Sequence, residues 1–413
     1  MKKFGLLGEH LGHSFSPMIH KAFGDYSYEL FEVPPSKLEK FICSNYYDGL
    51  NVTIPYKQAV LPYLDEVSWR AKKIGSVNTI VYKNGKRIGD NTDYCGFRYM
   101  VESSGVSPAG KKVIVLGSGG ASRAVCEAMK DLGCSELCVI SRSGSDNYQN
   151  IEKHADAEII VNATPVGMYP HNAESPLSLK SFSKLQAVLD LIYNPQKTAL
   201  MLEAEQRNVI AVGGLTMLVS QAFFSAEQFM DQKLNPSLVA PLIQKIGMQM
   251  KNIVLIGMPG SGKSVCARML SERLGRKWID TDTRIEQQSG QTISEIFAAN
   301  GEEHFRNLES EVIKRVSAET GCVISVGGGA ILRRENQNAL RQNGYFLWLC
   351  RPLSELSMSD RPLSTDKEAL LRMEKERMPI YQSMADAKIH VSDSPELTLQ
   401  KILEAVHYEN TGN

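Results

Sequence analysis

An α/β fold is the expectation for this chain of 413 residues, and two observations carry it. Short apolar runs alternate with helical stretches along most of the length. Two of those runs end in glycine loops placed to open helices. Val113-Ile114-Val115-Leu116 leads into Gly117-Ser118-Gly119-Gly120-Ala121, and Ile253-Val254-Leu255-Ile256 leads into Gly257-Met258-Pro259-Gly260-Ser261-Gly262-Lys263-Ser264. A strand, a glycine loop and a helix N-terminus let backbone amides approach a phosphate. The loops differ in design: the first has the pattern of a dinucleotide fold and the second is a full Walker A loop. The expected architecture is an N-terminal α/β domain, a Rossmann dinucleotide-binding domain and a P-loop NTPase-type α/β domain.

Composition narrows the class. Such a length calls for two or three domains. Lysine plus arginine and aspartate plus glutamate balance at 46 each, so no net field draws the chain to nucleic acid or a membrane surface. The expected partners are small-molecule substrates. The eight cysteines are scattered, and Cys134 and Cys138 have the wrong spacing for a C-x-x-C pair. Neither a disulfide framework nor a zinc site is expected, which fits a reducing, cytoplasmic setting. The apolar run after Met1-Lys2-Lys3 is cut by Glu9 and His10, so no signal peptide is expected. The apolar stretch 209–224 contains Gly213, Gly214, Thr216, Ser220 and Gln221 and does not read as a membrane span. The two glycine loops are unlike each other, which argues against duplication.

Taken in order, residues 1–95 form the first α/β domain, with apolar runs at Phe4-Gly5-Leu6-Leu7 and Gly49-Leu50-Asn51-Val52. Ser107-Pro108-Ala109-Gly110 is a turn into the strand at Val113. Further strands are expected at 137–140, 158–162, 187–191 and 209–212, giving a doubly wound parallel sheet over 96–221. Helices over 223–230 and 237–246 close this half, and the segment 222–246 is expected to pack back on the first domain. Gly247-Met248-Gln249 reads as a three-residue junction. The last domain, 250–413, has strands expected near Ile253, 323–326 and 346–349.

In the first half, Ser141-Arg142-Ser143 ends the strand that follows the glycine-loop helix. An acidic residue there would bind the ribose diol of NAD, whereas Arg142 suits the extra phosphate of NADP. His13-Ser14-Phe15-Ser16-Pro17 offers two hydroxyls in a turn before a helix, a cradle for a carboxylate. Asn51-Val52-Thr53-Ile54-Pro55-Tyr56-Lys57 sets amide, hydroxyl and amine side chains around a proline bend. Gly75-Ser76-Val77-Asn78-Thr79 and Gly89-Asp90-Asn91-Thr92-Asp93 add amides and a carboxylate. His10, His13 and His20 lack the carboxylate or cysteine set that would complete a metal site.

These motifs, with Asn162-Ala163-Thr164-Pro165-Val166-Gly167-Met168, Tyr193-Asn194-Pro195 and the run from Gly214 to Ala222, resemble shikimate dehydrogenase over residues 4–245. The resemblance implies that Lys57 and Asp93 are the catalytic pair. A ketone reduction needs a proton at oxygen as hydride reaches carbon, and a lysine beside a carboxylate can supply it. It further implies that Ser14 and Ser16 hold a substrate carboxylate. Thr53, Asn78, Tyr193 and Gln221 would hold ring hydroxyls or neighbouring substrate groups. Gly117, Ser118, Gly119, Gly120, Ala121 and Arg142 would bind NADPH, with Leu191 and Gly214 beside the nicotinamide. The chain departs from the family at Ser141, where an asparagine is usual, and at Gly144-Ser145-Asp146, where a further basic residue is usual. Its stretch from Arg142 to Asn162 is short for the family and implies a trimmed Rossmann helix.

In the Walker A loop the amides of Gly260, Ser261, Gly262 and the residues up to Val265 cradle phosphates. Lys263 reaches the β and γ oxygens and Ser264 belongs on Mg²⁺. Ile279-Asp280-Thr281-Asp282 then projects two carboxylates toward one cleft. One can support the metal through water and the other can accept from a substrate hydroxyl. Gly301-Glu302-Glu303-His304-Phe305-Arg306, Gly327-Gly328-Gly329, Asp360-Arg361-Pro362-Leu363 and Arg377-Met378-Pro379-Ile380-Tyr381 follow. Arginines at three separated points form a clamp for phosphate and an acid. This set resembles shikimate kinase over residues 250–407, a fold of the nucleoside-monophosphate-kinase kind. The resemblance implies shikimate-binding positions at Asp282, Arg306, Gly328 and Arg377. Arg306 and Arg377 would grip the carboxylate, Asp282 would orient or deprotonate the hydroxyl, and Arg361 would close over ATP. Metal support falls to Ser264 and Asp280. The lid before Arg361, Ser354 to Ser359, is short and lacks the family's extra basic residues.

The expected function is bifunctional: NADPH-dependent reduction of 3-dehydroshikimate, then phosphorylation of the resulting shikimate from MgATP. Two other readings stand beside it. In one, a half is a silent binding module, with the short-lidded kinase the candidate. In the other, the first half acts on quinate or uses NAD.

Overall fold

The computed structural model describes residues 2–12, 14–44, 46–356 and 367–411. The chain folds into two units, one of Met1–Met168, Glu174–Asn194 and Leu200–Ile243, the other of Tyr169–Ala173, Pro195–Ala199 and Gln244–Asn413.

The first unit holds two sheets. Strands β1 (Lys3–Gly8), β2 (Ser27–Glu32), β3 (Gly49–Val52), β4 (Glu66–Val67), β5 (Thr79–Lys83) and β6 (Lys86–Asp90) form the first, in the order β2-β1-β3-β5-β6-β4. This sheet is mixed: β1 runs parallel to β2 and β3, while β3, β5 and β6 alternate in direction. Asn84 and Gly85 make the β5–β6 reversal with φ of 53° and 74°, the paired positive angles that a tight hairpin demands. The helix Leu215–Met230 lies against this sheet, and its Phe229 stacks on Phe4 at 4.4 Å between ring centroids. That helix begins well before Phe223, where the sequence placed its start. Gly214 is the N-cap of this helix.

Strands β7 (Lys112–Leu116), β8 (Glu136–Ile140), β9 (Ile159–Asn162), β10 (Ala187–Asp190) and β11 (Ile210–Val212) form an all-parallel sheet ordered β11-β10-β9-β7-β8. Both faces are covered, so the strands alternate between two cores. Val113, Val115, Val161 and Leu189 face one, and Ile114, Leu116, Ile160 and Val188 the other. Near-continuous apolar strands are the signature of such a sheet. The chain reverses its direction of winding between β7 and β9, and a ligand cleft opens beyond the carboxyl ends of strands at such a point. The expected trimming is present. Between β8 and β9 the described helix is a single 3₁₀ turn, Ile151–His154.

The second unit is built on β12 (Asn252–Ile256), β13 (Trp278–Asp280), β14 (Val323–Ser325), β15 (Gly344–Cys350) and β16 (Ala387–His390), all parallel, ordered β13-β14-β12-β15-β16. Here too alternate residues serve two cores, Val254 and Ile256 on one face and Ile253 and Leu255 on the other. The junction expected at 247–249 is not a loop: these residues are the last turn of the helix Val239–Met250. Among the described residues no helix is long and apolar enough to cross a membrane.

Candidate active sites

In the first unit, Asn91 caps the helix Thr92–Ser103 by accepting from the amide of Tyr94. That cap places Asp93 in the first turn, where the helix dipole favours a carboxylate. Lys57 Nζ lies 2.6 Å from Asp93 Oδ2, and Asn78 Nδ2 donates to Asp93 Oδ1 at 2.8 Å. Asn78 is itself fixed, because its Oδ1 accepts from the amide of Thr92 at 2.7 Å. The pair expected from the sequence is therefore assembled, with Asp93 held on both oxygens.

Lys57, Asn78 and Asp93 line a cavity of about 240 Å³ together with Ser14, Ser16 and Thr53. Leu191, Tyr193, Gly214 and Gln221 complete the wall, so all ten residues expected there converge on it. Burial raises the Tyr193 hydroxyl above its ordinary range. Gly214 is required by sterics: a Cβ there would sit 2.1 Å from the carbonyl oxygen of Leu191. The sequence reading gave Asn51 no role of its own, yet it lines the cavity and accepts from Tyr28 Oη at 2.8 Å. Its place in the quoted Asn51-Val52-Thr53 motif was the available signal. His20 serves this scaffold rather than a metal. Its ring stacks on Tyr28 at 4.0 Å and Nδ1 is 2.8 Å from Tyr26 Oη. Burial lowers its pKa to about 3, so it is neutral. His13 lies outside the described residues.

A second cavity, about 820 Å³, is lined by the whole loop Gly117–Ala121 and by Ser141 and Arg142. Lys57 and Ala121 line both cavities. Gly117 has φ of 98°, and a Cβ on it would approach the carbonyl oxygen of Ala163 to 3.1 Å. Backbone approach of this kind, beside a helix N-terminus and an exposed arginine, fits a dinucleotide bearing a further phosphate. Arg123, Tyr148 and Thr164 also line this cavity and were not singled out from the sequence.

In the second unit, Asp280 caps the helix Thr281–Ser289 through Oδ1, which accepts from the amides of Asp282 and Thr283. Its other oxygen accepts from Ser264 Oγ at 2.8 Å and Ser325 Oγ at 2.7 Å. A hydroxyl and a carboxylate in contact beside a phosphate loop are the hard oxygen donors that suit Mg²⁺. Lys263 Nζ donates to the carbonyls of Gly257 and Met258 at 2.9 and 3.0 Å, folded over its own loop.

Gly260, Gly262, Lys263, Ser264 and Val265 line a cavity of about 500 Å³, and Asp280 and Asp282 face it. Arg306, Gly328 and Arg377 line it as well. Ser261 is not brought to this wall. It is fully buried and its amide donates to Met258 O. Arg361 and the residues around it lie outside the described residues.

Charge crowds this cavity. Glu309, a buried residue of its wall, accepts from Arg306 Nη1 at 2.7 Å. Burial pushes the Glu309 carboxyl up, against the pull of Arg306. The Asp282 carboxyl is pushed up to about 6, by burial first and then by Asp280 and Glu309. Asp282 Oδ1, Glu309 Oε1 and Arg377 Nε are buried with no hydrogen-bond partner among the described residues. Such orphaned groups are costly unless a polar ligand satisfies them. Sequence reading missed Glu309, although its spacing of three from Arg306 on one helix was a usable signal. The triple glycine is explained by close approach. A Cβ at Gly327 would meet Glu309 Oε1 at 2.7 Å, at Gly328 the ring of Pro259 at 2.8 Å, and at Gly329 Arg306 Nη2 at 2.5 Å.

Comparison with known proteins agrees with this geometry. The family model for the shikimate dehydrogenase substrate binding domain matches residues 6–80, and that for shikimate kinase matches residues 259–407. A shikimate dehydrogenase (NADP(+)) of Clostridium beijerinckii is 37% identical over 261 residues, covering 59% of this chain and 97% of that protein. Among solved structures, a chorismate mutase/shikimate 5-dehydrogenase fusion protein from Clostridium acetobutylicum is similar with a TM-score of 0.57 and 38% identity, over 59% of this chain and 96% of that one. The shikimate 5-dehydrogenase of Thermus thermophilus in complex with NADP(H) and shikimate gives a TM-score of 0.55 at 31% identity, over 59% and 99%. The chain belongs to the shikimate dehydrogenase family and carries a shikimate kinase domain after it.

Proposed function

We propose that the chain performs two consecutive reactions on one small carboxylic acid. The first unit reduces 3-dehydroshikimate to shikimate with NADPH, and the second phosphorylates that shikimate from MgATP to shikimate 3-phosphate. The observation that carries the first reading is the position of Lys57, which is bonded to Asp93 and lines both the small cavity and the glycine-loop cavity.

In the first reaction Ser14 and Ser16 hold the substrate carboxylate, while Thr53, Asn78, Tyr193 and Gln221 bind its polar ring groups. The Gly117 loop would hold NADPH, with Arg142 on its extra phosphate, and the cofactor would supply the hydride. Lys57 gives a proton to the carbonyl oxygen as charge develops there, and Asp93 holds Nζ in position. Leu191 and Gly214 form the wall beside the reacting carbon.

In the second reaction Arg306 and Arg377 hold the carboxylate, and Gly328 lets the ring approach the phosphate loop. Asp282 orients the attacking hydroxyl and accepts its proton. Lys263 swings from its loop carbonyls to the phosphates and meets the charge of the transferred group. Ser264 and Asp280 would hold Mg²⁺, which would supply neutralisation of phosphate charge. A cytoplasmic location is in keeping with eight cysteines that are all free thiols.

The test is to assay each half-reaction separately on the purified full chain. Lys57→Ala and Asp93→Ala should abolish reduction and leave phosphorylation intact, and Lys263→Ala should do the reverse. Loss of both activities in one folded variant would refute two independent sites.

A further inference from the structure

The shortened crossover between β8 and β9 creates a feature that neither reaction uses. Its single 3₁₀ turn, Ile151–His154, brings His154 to the edge strand β8. Glu136 and Cys138 are two residues apart on that strand, so their side chains leave the same face. A carboxylate oxygen of Glu136, Cys138 Sγ and a ring nitrogen of His154 lie within 4.8 Å of one another. Cys138 Sγ is 3.3 Å from Glu136 Oε1. The imidazole is buried, with Nε2 3.0 Å from Asp146 Oδ1, and Nδ1 has no partner among the described residues. A histidine that donates one N–H to a carboxylate and keeps a lone pair on its other nitrogen is in the form that ligates a cation. The positive group already present is Lys112, whose Nζ is 3.0 Å from Glu136 and 2.9 Å from Asp156.

We propose that Glu136, Cys138 and His154 bind one divalent cation of borderline softness, of the Zn²⁺ class. Nitrogen, sulfur and oxygen donors at this separation match such an ion and not Mg²⁺ or Ca²⁺, which take oxygen alone. On binding, the Cys138 S–H bond breaks, its proton passes to solvent and a sulfur–metal bond forms, with no change of oxidation state. Lys112 releases Glu136 and keeps Asp156. The consequence lies in the segment between the ligands. Arg142 and Tyr148 are on it, and both line the glycine-loop cavity. A cation that ties His154 to β8 fixes both ends of that segment and so tightens NADPH binding.

This consequence rests on the proposed reductase, but the site itself does not, and the experiment separates them. The full chain, stripped with chelator, is titrated with Co²⁺ in excess Mg²⁺, which occupies the oxygen-only site of the kinase. One equivalent should give a thiolate-to-cobalt charge-transfer band. The band should vanish in Cys138→Ser and His154→Gln and survive in Cys134→Ser, with unfolding curves reporting that each variant is folded. Zn²⁺ should also shield Cys138 of the unsubstituted protein from alkylation, mapped by mass spectrometry, so the test holds even if a variant fails to fold. Absence of a band, its survival in folded Cys138→Ser, or alkylation of Cys138 unaffected by Zn²⁺ would overturn the site. Fluorescence titration with NADPH, which needs no turnover, should show severalfold tighter binding with Zn²⁺. An unchanged affinity with the site filled would overturn the coupling to the cofactor cavity.

Discussion

Asn78 grips Asp93 on the carboxylate oxygen that Lys57 leaves free, its Nδ2 donating to Oδ1 at 2.8 Å while Lys57 Nζ takes Oδ2 at 2.6 Å. Asn78 is buried, and its own oxygen accepts from the amide of Thr92 and from the hydroxyl of Thr79. Asn78→Ala therefore unpairs a buried amide and frees the carboxylate to turn. Unsatisfied groups of this kind cost about 1–3 kcal/mol each. The reductase kcat should fall roughly 10- to 100-fold, at or below the low end of the roughly 100- to 10,000-fold that a positioned acid–base group contributes, while phosphorylation by the same protein is unchanged. Steady-state rates of both half-reactions check this, and a reductase kcat near that of the unsubstituted chain would contradict the holding role.

Gly214→Ala tests the wall of the first cavity. The added methyl would lie 2.1 Å from Leu191 O and 2.4 Å from its carbonyl carbon, both backbone atoms. Relief requires the segment after β10 to shift, and that segment carries Leu191 and Tyr193 into the cavity. Overpacking of this kind costs about 1–3 kcal/mol or more. The reductase kcat/KM should drop at least about tenfold, since 1.4 kcal/mol is one factor of ten. Kinase activity should persist, and equal reductase kinetics would show that the wall yields freely.

Gly329→Ala makes the corresponding test in the second unit. Its methyl would meet Arg306 Nη2 at 2.5 Å. Arg306 has little room to yield, being bonded to Glu309 at 2.7 Å and Glu302 at 3.2 Å. The expected result is a KM for shikimate raised about tenfold or more, the scale of one charge-assisted contact, with the KM for ATP unchanged. Initial rates with either substrate varied decide it, and a rise in the ATP KM alone would remove Arg306 from carboxylate binding.

Much of both candidate sites is legible in the sequence because each proposed catalytic side chain sits in a short motif with a local purpose. Asp93 follows an asparagine cap, Lys57 follows a proline bend, and Lys263 and Ser264 end a glycine loop. The glycines were marked in the sequence, but their reason is tertiary, as Gly329 and Gly214 stand where a Cβ would strike Arg306 and Leu191. What was missed depends on tertiary position. Asn51 belongs to a fully buried strand, and only its neighbours across the sheet turn it toward the cavity. Ser261 has the right motif and the wrong direction, since the loop turns it inward. β16 has one buried residue in four, too little to show a period. Residues 247–249 read as a junction because a glycine weakens helix propensity, yet Gly247 is buried within a helix.

The Asp282 carboxyl gives the second reaction a pH signature. Burial, with Asp280 and Glu309 as like charges, pushes it up to about 6. A base must be ionised to accept the hydroxyl proton, so kcat/KM for shikimate should fall about tenfold per pH unit below 6. The same shift marks stability with the opposite sign. Between the ordinary value of 3.8 and about 6 the folded chain binds more protons at this group than the unfolded chain does. The contribution of Asp282 is therefore most favourable below 3.8 and is lost as pH rises through 6. Asp282→Asn removes that loss. Its second unit should be more stable than that of the unsubstituted protein at pH 8 by up to about 3 kcal/mol, with the gap closing toward pH 4. Phosphorylation by this variant should be abolished. Denaturant titrations at several pH values, with the kinase pH–rate profile, test both halves. An acid limb near pH 4, or a stability gap independent of pH, would show that Asp282 is not held near neutrality and does not serve as the base.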